Sequence, residues 1–100
     1  MTPGPAPRTL RVPPDVARVL RTLHPEIKTR IKEALRHLQE DPFAGKPLRA
    51  ELEGLRSYRV ARFRIVYRVA EDRILEIVAV GPRRTIYIET VRLLKKRVGR

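Results

Sequence analysis

Along residues 55–68 apolar side chains come to alternate with arginines, most regularly over Arg62-Phe63-Arg64-Ile65. Alternation with a period of two marks a half-buried β-strand, because successive side chains point to opposite faces. The spacing predicts strands over 55–61 and 63–70, one face packed and the other carrying a row of guanidinium groups. A third strand is predicted over 74–80. It is apolar except for Glu76, as expected for an inner strand covered on both faces. Ala70-Glu71-Asp72-Arg73 reads as the tight turn before it, and Gly81-Pro82 as its stop.

The first half of the chain has a different period. Val16, Val19, Leu20 and Leu23 recur at helical spacing behind Pro13-Pro14-Asp15, and proline suits the first turn of a helix. His24-Pro25 breaks this helix. A second runs to about Glu40, with Ile27, Ile31, Ala34, Leu35 and Leu38 on one side and Lys28, Arg30, Lys32, Glu33 and Arg36 on the other. Asp41-Pro42 ends it, since proline disfavours helical geometry in the preceding residue. So short a break between the two predicts an antiparallel helical hairpin. Residues 8–12 suit a short first strand, 42–54 a loop, and 85–97 a closing helix that carries Ile86, Val91, Leu94 and Val98. The order β-α-α-β-β-β-α implies an α+β, two-layer domain over residues 8–97. Its helical hairpin would cover one face of a mainly antiparallel sheet and leave the other to the arginines. Residues 1–7 read as a disordered lead-in and 98–100 as a tail.

The charge of +12 sharpens this picture through its location. Residues 1–53 carry a net +3 and residues 54–100 a net +9. A field of this strength favours nucleic acid or an acidic protein partner. Arginine outnumbers lysine eighteen to five, and its planar fork suits bidentate phosphate contacts. Cysteine is absent, which excludes disulfides and thiolate metal sites and fits a reducing cytoplasm. Asn is also absent, and Gln, Met and Ser each occur once, as fits a thermophilic source or a GC-rich genome. The longest apolar run is too short to span a bilayer. There is no glycine-rich phosphate loop, Ser/His/Asp set or metal-ligand spacing, so neither cofactor nor metal is expected.

Pro47-Leu48-Arg49, Tyr58-Arg59-Val60, Phe63-Arg64-Ile65-Val66-Tyr67 and Val80-Gly81-Pro82-Arg83-Arg84-Thr85-Ile86-Tyr87, in this order behind a helical hairpin, resemble the RelE/ParE toxin superfamily. The resemblance covers about residues 8–95. It implies a small basic toxin, monomeric when free and neutralised by an acidic antitoxin that wraps it. RelE-like members enter the ribosome and cut mRNA. ParE-like members share the fold, inhibit DNA gyrase and lack the nuclease residues. Carried over residue by residue, the nuclease set falls on Arg59, Arg64, Arg83 and Tyr87. Ala61 or Arg62 stands where relatives place a second basic residue, and Pro82 where many have His or Lys.

The resemblance and the basic field together give the expectation of a cytoplasmic, ribosome-dependent endoribonuclease that works without a metal. Arg64 and Arg83 would clamp the scissile phosphate, and Tyr87 would stack on a base or move a proton. Lys46, Arg49, Arg56, Arg62, Arg84, Lys95 and Lys96 are candidates for further RNA contacts. Neither His24, at the helix break, nor His37, on the second helix, is placed for proton transfer. A site without histidine should depend on the ribosome to orient its message. The rival expectations are a gyrase inhibitor without catalysis and a basic RNA-binding module.

Overall fold

The computed structural model describes residues 7–99, with side chains through Lys95. The elements are β1 (Thr9–Arg11), α1 (Pro14–Thr22), α2 (Pro25–Glu40), β2 (Lys46–Pro47), β3 (Arg56–Val60), β4 (Phe63–Ala70), β5 (Ile74–Pro82) and α3 (Ile86–Gly99). A single 3₁₀ turn, Ala50–Leu52, lies between β2 and β3. The lead-in and tail expected at the termini fall largely outside the described residues, as does the Lys96 side chain.

The five strands form one sheet in the order β1-β5-β4-β3-β2. β1 runs parallel to β5, and every other pair is antiparallel. The inner position of β5 agrees with its nearly unbroken apolar run. One strand within the expected loop escaped the sequence: β2 is two residues long and exists only through its pairing with Ser57 and Arg56. β5 also runs through Gly81 to Pro82, because Gly81 and Pro82 still pair with Arg64 and Phe63.

The helix start signals behave as proline and capping chemistry require. α1 and α2 each open with proline, whose missing N–H is one the first turn leaves unbonded anyway. At the break, His24 Nδ1 accepts a hydrogen bond from the Glu26 amide at 3.2 Å and caps α2. The apolar stripes meet the sheet: Val16, Ile31, Ala34, Leu35 and Leu38 pack with Val60, Ile65, Tyr67, Leu75, Ile77 and Val80. Burying each of the larger side chains contributes roughly 1.5–3 kcal/mol.

The opposite face is not left to the arginines alone. Ile86 and the partly buried Tyr87, Val91, Leu93 and Leu94 of α3 pack there with Val66, Val78 and Ala79, beside Leu52 and Leu55. A β-bulge makes this possible. Val66 pairs with Ala79 and Tyr67 with Ile77, so Val78 is an extra residue on β5. The bulge turns Val78 and Ala79 to the α3 face while Ile77 and Val80 keep to the α1–α2 face. What remains for the cations is the end of the sheet where β3, β4 and the exit of β5 meet.

Candidate active site

The β3–β4 hairpin builds this end. Its connection is Ala61-Arg62, with Ala61 at φ 54°, a left-handed conformation that costs a residue bearing a Cβ roughly 1–2 kcal/mol. The pairing sets Arg59 opposite Arg64, and Arg64 opposite Gly81 on the far side. Three neighbouring strands thus deliver the hairpin, the central arginine and the β5 exit to one place. The Arg83 amide donates to the Arg62 carbonyl at 2.9 Å and ties the β5–α3 connection to the hairpin tip.

Between these two connections lies a cleft of about 530 Å³ lined by Arg59, Ala61, Arg62, Pro82, Arg83, Arg84 and Thr85. Four of these seven residues are arginines and none is acidic. So many like charges repel one another across the cleft, and a bound polyanion relieves that repulsion. A Cβ at Gly81 would lie 3.0 Å from Ile86 Cδ1, closer than ordinary contact, and Ile86 is fully buried. The glycine and isoleucine of the Gly-x-Arg-x-x-Ile-Tyr pattern therefore fit as a pair. By packing on each other they set where α3 begins.

Arg64 and Tyr87 meet beside the cleft. The Arg64 Cζ lies 5.8 Å from the centroid of the Tyr87 ring. The Tyr87 hydroxyl donates to Ser57 Oγ at 3.1 Å, and Arg64 Nη1 to the same oxygen at 3.4 Å. The Arg64 Nε is shut off from solvent without an acceptor. Ser57 is the residue that the sequence reading missed. Its signal was present: it alternates with Arg56 and Tyr58, which puts it on the Arg59 face.

The remaining candidates are dispersed. Arg56 departs from the expected single row, because it turns to the other face of β3. There its Nη1 donates to the Gly45 carbonyl at 2.6 Å and the Phe43 carbonyl at 3.4 Å, with its Cζ 5.0 Å from the Phe43 ring. It lies three positions from Arg59, an odd step that strand alternation sends to opposite sides. Lys46 is exposed on β2, Arg49 precedes the 3₁₀ turn, and Lys95 is exposed on α3; none lines the cleft. Arg68 is engaged by Glu76 on β5, at 2.7 Å from Nη2 to Oε1. His37 lies against Tyr58, ring centroids 5.8 Å apart. Among the described residues no group of three or more His, Cys, Asp or Glu could hold a metal ion, and no helix is long and apolar enough to cross a membrane.

The model of one protein family, described as the ParE toxin of the type II toxin-antitoxin system parDE, matches residues 11–87. The chain belongs to the RelE/ParE toxin superfamily. Solved RelE/ParE structures agree. The RelBE2 toxin-antitoxin complex from Mycobacterium tuberculosis contains a chain 34% identical, with a TM-score of 0.70; the match covers 78% of this chain and all of that one. A mutant of the E. coli toxin RelE in the free state has 18% identity and a TM-score of 0.74, over 93% of this chain and 99% of that one. An archaeal RelE–RelB complex from Pyrococcus horikoshii has 20% identity and a TM-score of 0.65, over 78% and 97%. At such identities these last two show the RelE fold alone. No curated protein sequence matches the chain.

Proposed function

We propose that this toxin is a ribosome-dependent endoribonuclease that cuts mRNA by attack of a 2′-hydroxyl on the neighbouring phosphate. One observation carries the reading: an acid-free cleft lined by four arginines adjoins the Arg64–Ser57–Tyr87 cluster at one end of the sheet. The reaction needs cations at the pentacoordinate phosphorus, a base for the 2′ proton and an acid for the departing 5′ oxygen. Arg64 and Arg83 meet the first need, since guanidinium keeps its charge at any physiological pH and presents a fork that matches phosphate oxygens. For the same reason neither is a ready proton donor. Tyr87 is the side chain in the cluster able to stack on a base or pass a proton. Arg59, Arg62 and Arg84 hold the flanking phosphates. The reaction as written uses no metal ion.

With no histidine in the cleft, orientation must supply much of the rate, and the ribosome is the surface that supplies it. The basic half of the chain also calls for neutralisation. The relatives from M. tuberculosis and P. horikoshii are toxin–antitoxin complexes, and an acidic antitoxin that orders on binding suits this charge distribution.

The matched family description names a ParE toxin, and this favours a second reading, inhibition of DNA gyrase without catalysis. Induced expression of the wild type, Arg64→Ala and Arg83→Ala, with pulse labelling of new protein and new DNA, separates the two. The nuclease reading expects the wild type to stop protein synthesis first and both variants to lose toxicity while still binding antitoxin. Full toxicity in both variants, with DNA synthesis failing first, transfers the assignment to gyrase.

A further inference from the structure

We infer that Ser57 is a positioning residue of the proposed nuclease site, its hydroxyl setting the direction of the Arg64 guanidinium and the place of the Tyr87 phenol. The inference rests on the endoribonuclease reading and adds a residue to it. Ser57 is the single serine of the chain and is 4% exposed. Three elements converge on its oxygen: β3 carries it, β4 brings Arg64 Nη1 to 3.4 Å, and the first turn of α3 brings the Tyr87 hydroxyl to 3.1 Å.

The geometry leaves Arg64 little else to hold. Its Nε is enclosed without an acceptor. Among the described residues, Ser57 Oγ is the acceptor within hydrogen-bond distance of its guanidinium. Fixing the phenolic oxygen on the same atom also fixes the ring whose centroid lies 5.8 Å from the guanidinium carbon. The chemistry of the acceptor matters as well. A carboxylate at this position would pair with Arg64 and cancel the charge that a phosphorane requires. A hydroxyl orients the fork and leaves its charge in place. It is also small enough for the crowded interior of the strand.

Removing the hydroxyl frees both groups at once. The fork then loses its fixed direction, and misplacement of a catalytic group by about 1 Å lowers a rate by on the order of 100-fold. Binding of the ribosome, spread over many exposed cations, does not depend on this oxygen.

The test is Ser57→Ala in the full chain, with kcat and KM measured on ribosome-bound message, and the same substitution placed in the Arg64→Ala background. Alanine fills nearly the same space, so the fold should survive. The expected result is a fall in kcat of roughly 10–100-fold with KM unchanged, and no further loss in the Arg64→Ala background. The second readout needs no activity. The Arg64 Nε–H, enclosed in the wild type, should exchange slowly with solvent by ¹⁵N NMR and quickly in Ser57→Ala. An unchanged kcat, an equal loss in both backgrounds, or an unchanged Nε–H exchange overturns the role of Ser57. A wild type that cuts no translated message overturns the nuclease reading itself and, with it, any part for Ser57 in the reaction.

Discussion

Removing one oxygen from the core should unfasten the loop that leads into β2. Tyr67 is fully buried on β4, and its hydroxyl donates to the Pro42 carbonyl at 2.7 Å and accepts from the Gly45 amide at 2.9 Å. Pro42 and Gly45 are themselves buried. Tyr67→Phe keeps the ring and its packing but leaves a backbone donor and a backbone acceptor without partners. Each such group costs roughly 1–3 kcal/mol. Partial relaxation of the loop offsets some of this, so the expected loss is about 2–4 kcal/mol, out of a total of roughly 5–15 for a domain of this size. Urea denaturation should show the midpoint falling with the slope m unchanged. In a thermal melt the same loss corresponds to a drop on the order of 10–30 °C.

The alkaline limb offers a second check. Burial raises the Tyr67 pKa above its ordinary value of 10.0, opposed by the Gly45 amide and the Arg56 charge. The fold thus favours the neutral phenol. That stability is complete below pH 10 and is lost as pH rises through the raised pKa, so the gap between wild type and Tyr67→Phe should narrow in strong alkali. A loss below about 0.5 kcal/mol near neutrality, within the range of an unremarkable surface change, would refute the reasoning.

Other substitutions test the account at separate points. Gly45→Ala should destabilise by about 1–3 kcal/mol in chemical denaturation, because a Cβ there would lie 2.5 Å from the Tyr67 hydroxyl and 2.8 Å from the Ser57 carbonyl. Ala61→Gly should raise stability by roughly 1 kcal/mol through relief of its left-handed backbone, read as a higher melting temperature. Arg68→Ala breaks a pair with Glu76 whose arginine is 52% exposed, and equilibrium unfolding should register less than about 1 kcal/mol. If the cleft holds RNA phosphates, affinity for single-stranded RNA should fall with salt, and Arg59→Ala should lower the log–log slope by about 0.7.

The elements that the sequence disclosed are those whose side chains have one consistent period over a long stretch. The stripe from Ile27 to Leu38 buries a single face, so period and burial agree; in β4 Ile65 and Tyr67 keep the alternation toward α1–α2, while Val66 is buried on the α3 face. β2 lacked any such signal, because Lys46 and Pro47 are exposed and owe their strand geometry to a neighbour nine or more residues away. The bulge at Val78 was hidden inside an apolar run, where a slip of one residue changes no residue type. The docking of α3 on the second face was equally obscure, since it depends on that bulge. The sequence pointed to Arg59, Arg64, Arg83 and Tyr87 as the converging group; the cleft is instead lined by Arg59, Arg62, Arg83 and Arg84, with Arg64 and Tyr87 together beside it. Arg56 and Ser57 were misread for one reason: a row of arginines was treated as a single face, when counting odd and even steps along β3 sends Arg56 away and brings Ser57 in.

The central claim is that Arg64, beside the arginine cleft, stabilises charge on a phosphate of translated RNA. Primer extension on a message from a reconstituted translation reaction tests it most directly. The account predicts breaks within the translated region with wild-type toxin, far fewer with Arg64→Ala, and little cutting of the same RNA without ribosomes. An intact message with wild type, or breaks equally frequent with Arg64→Ala, contradicts it.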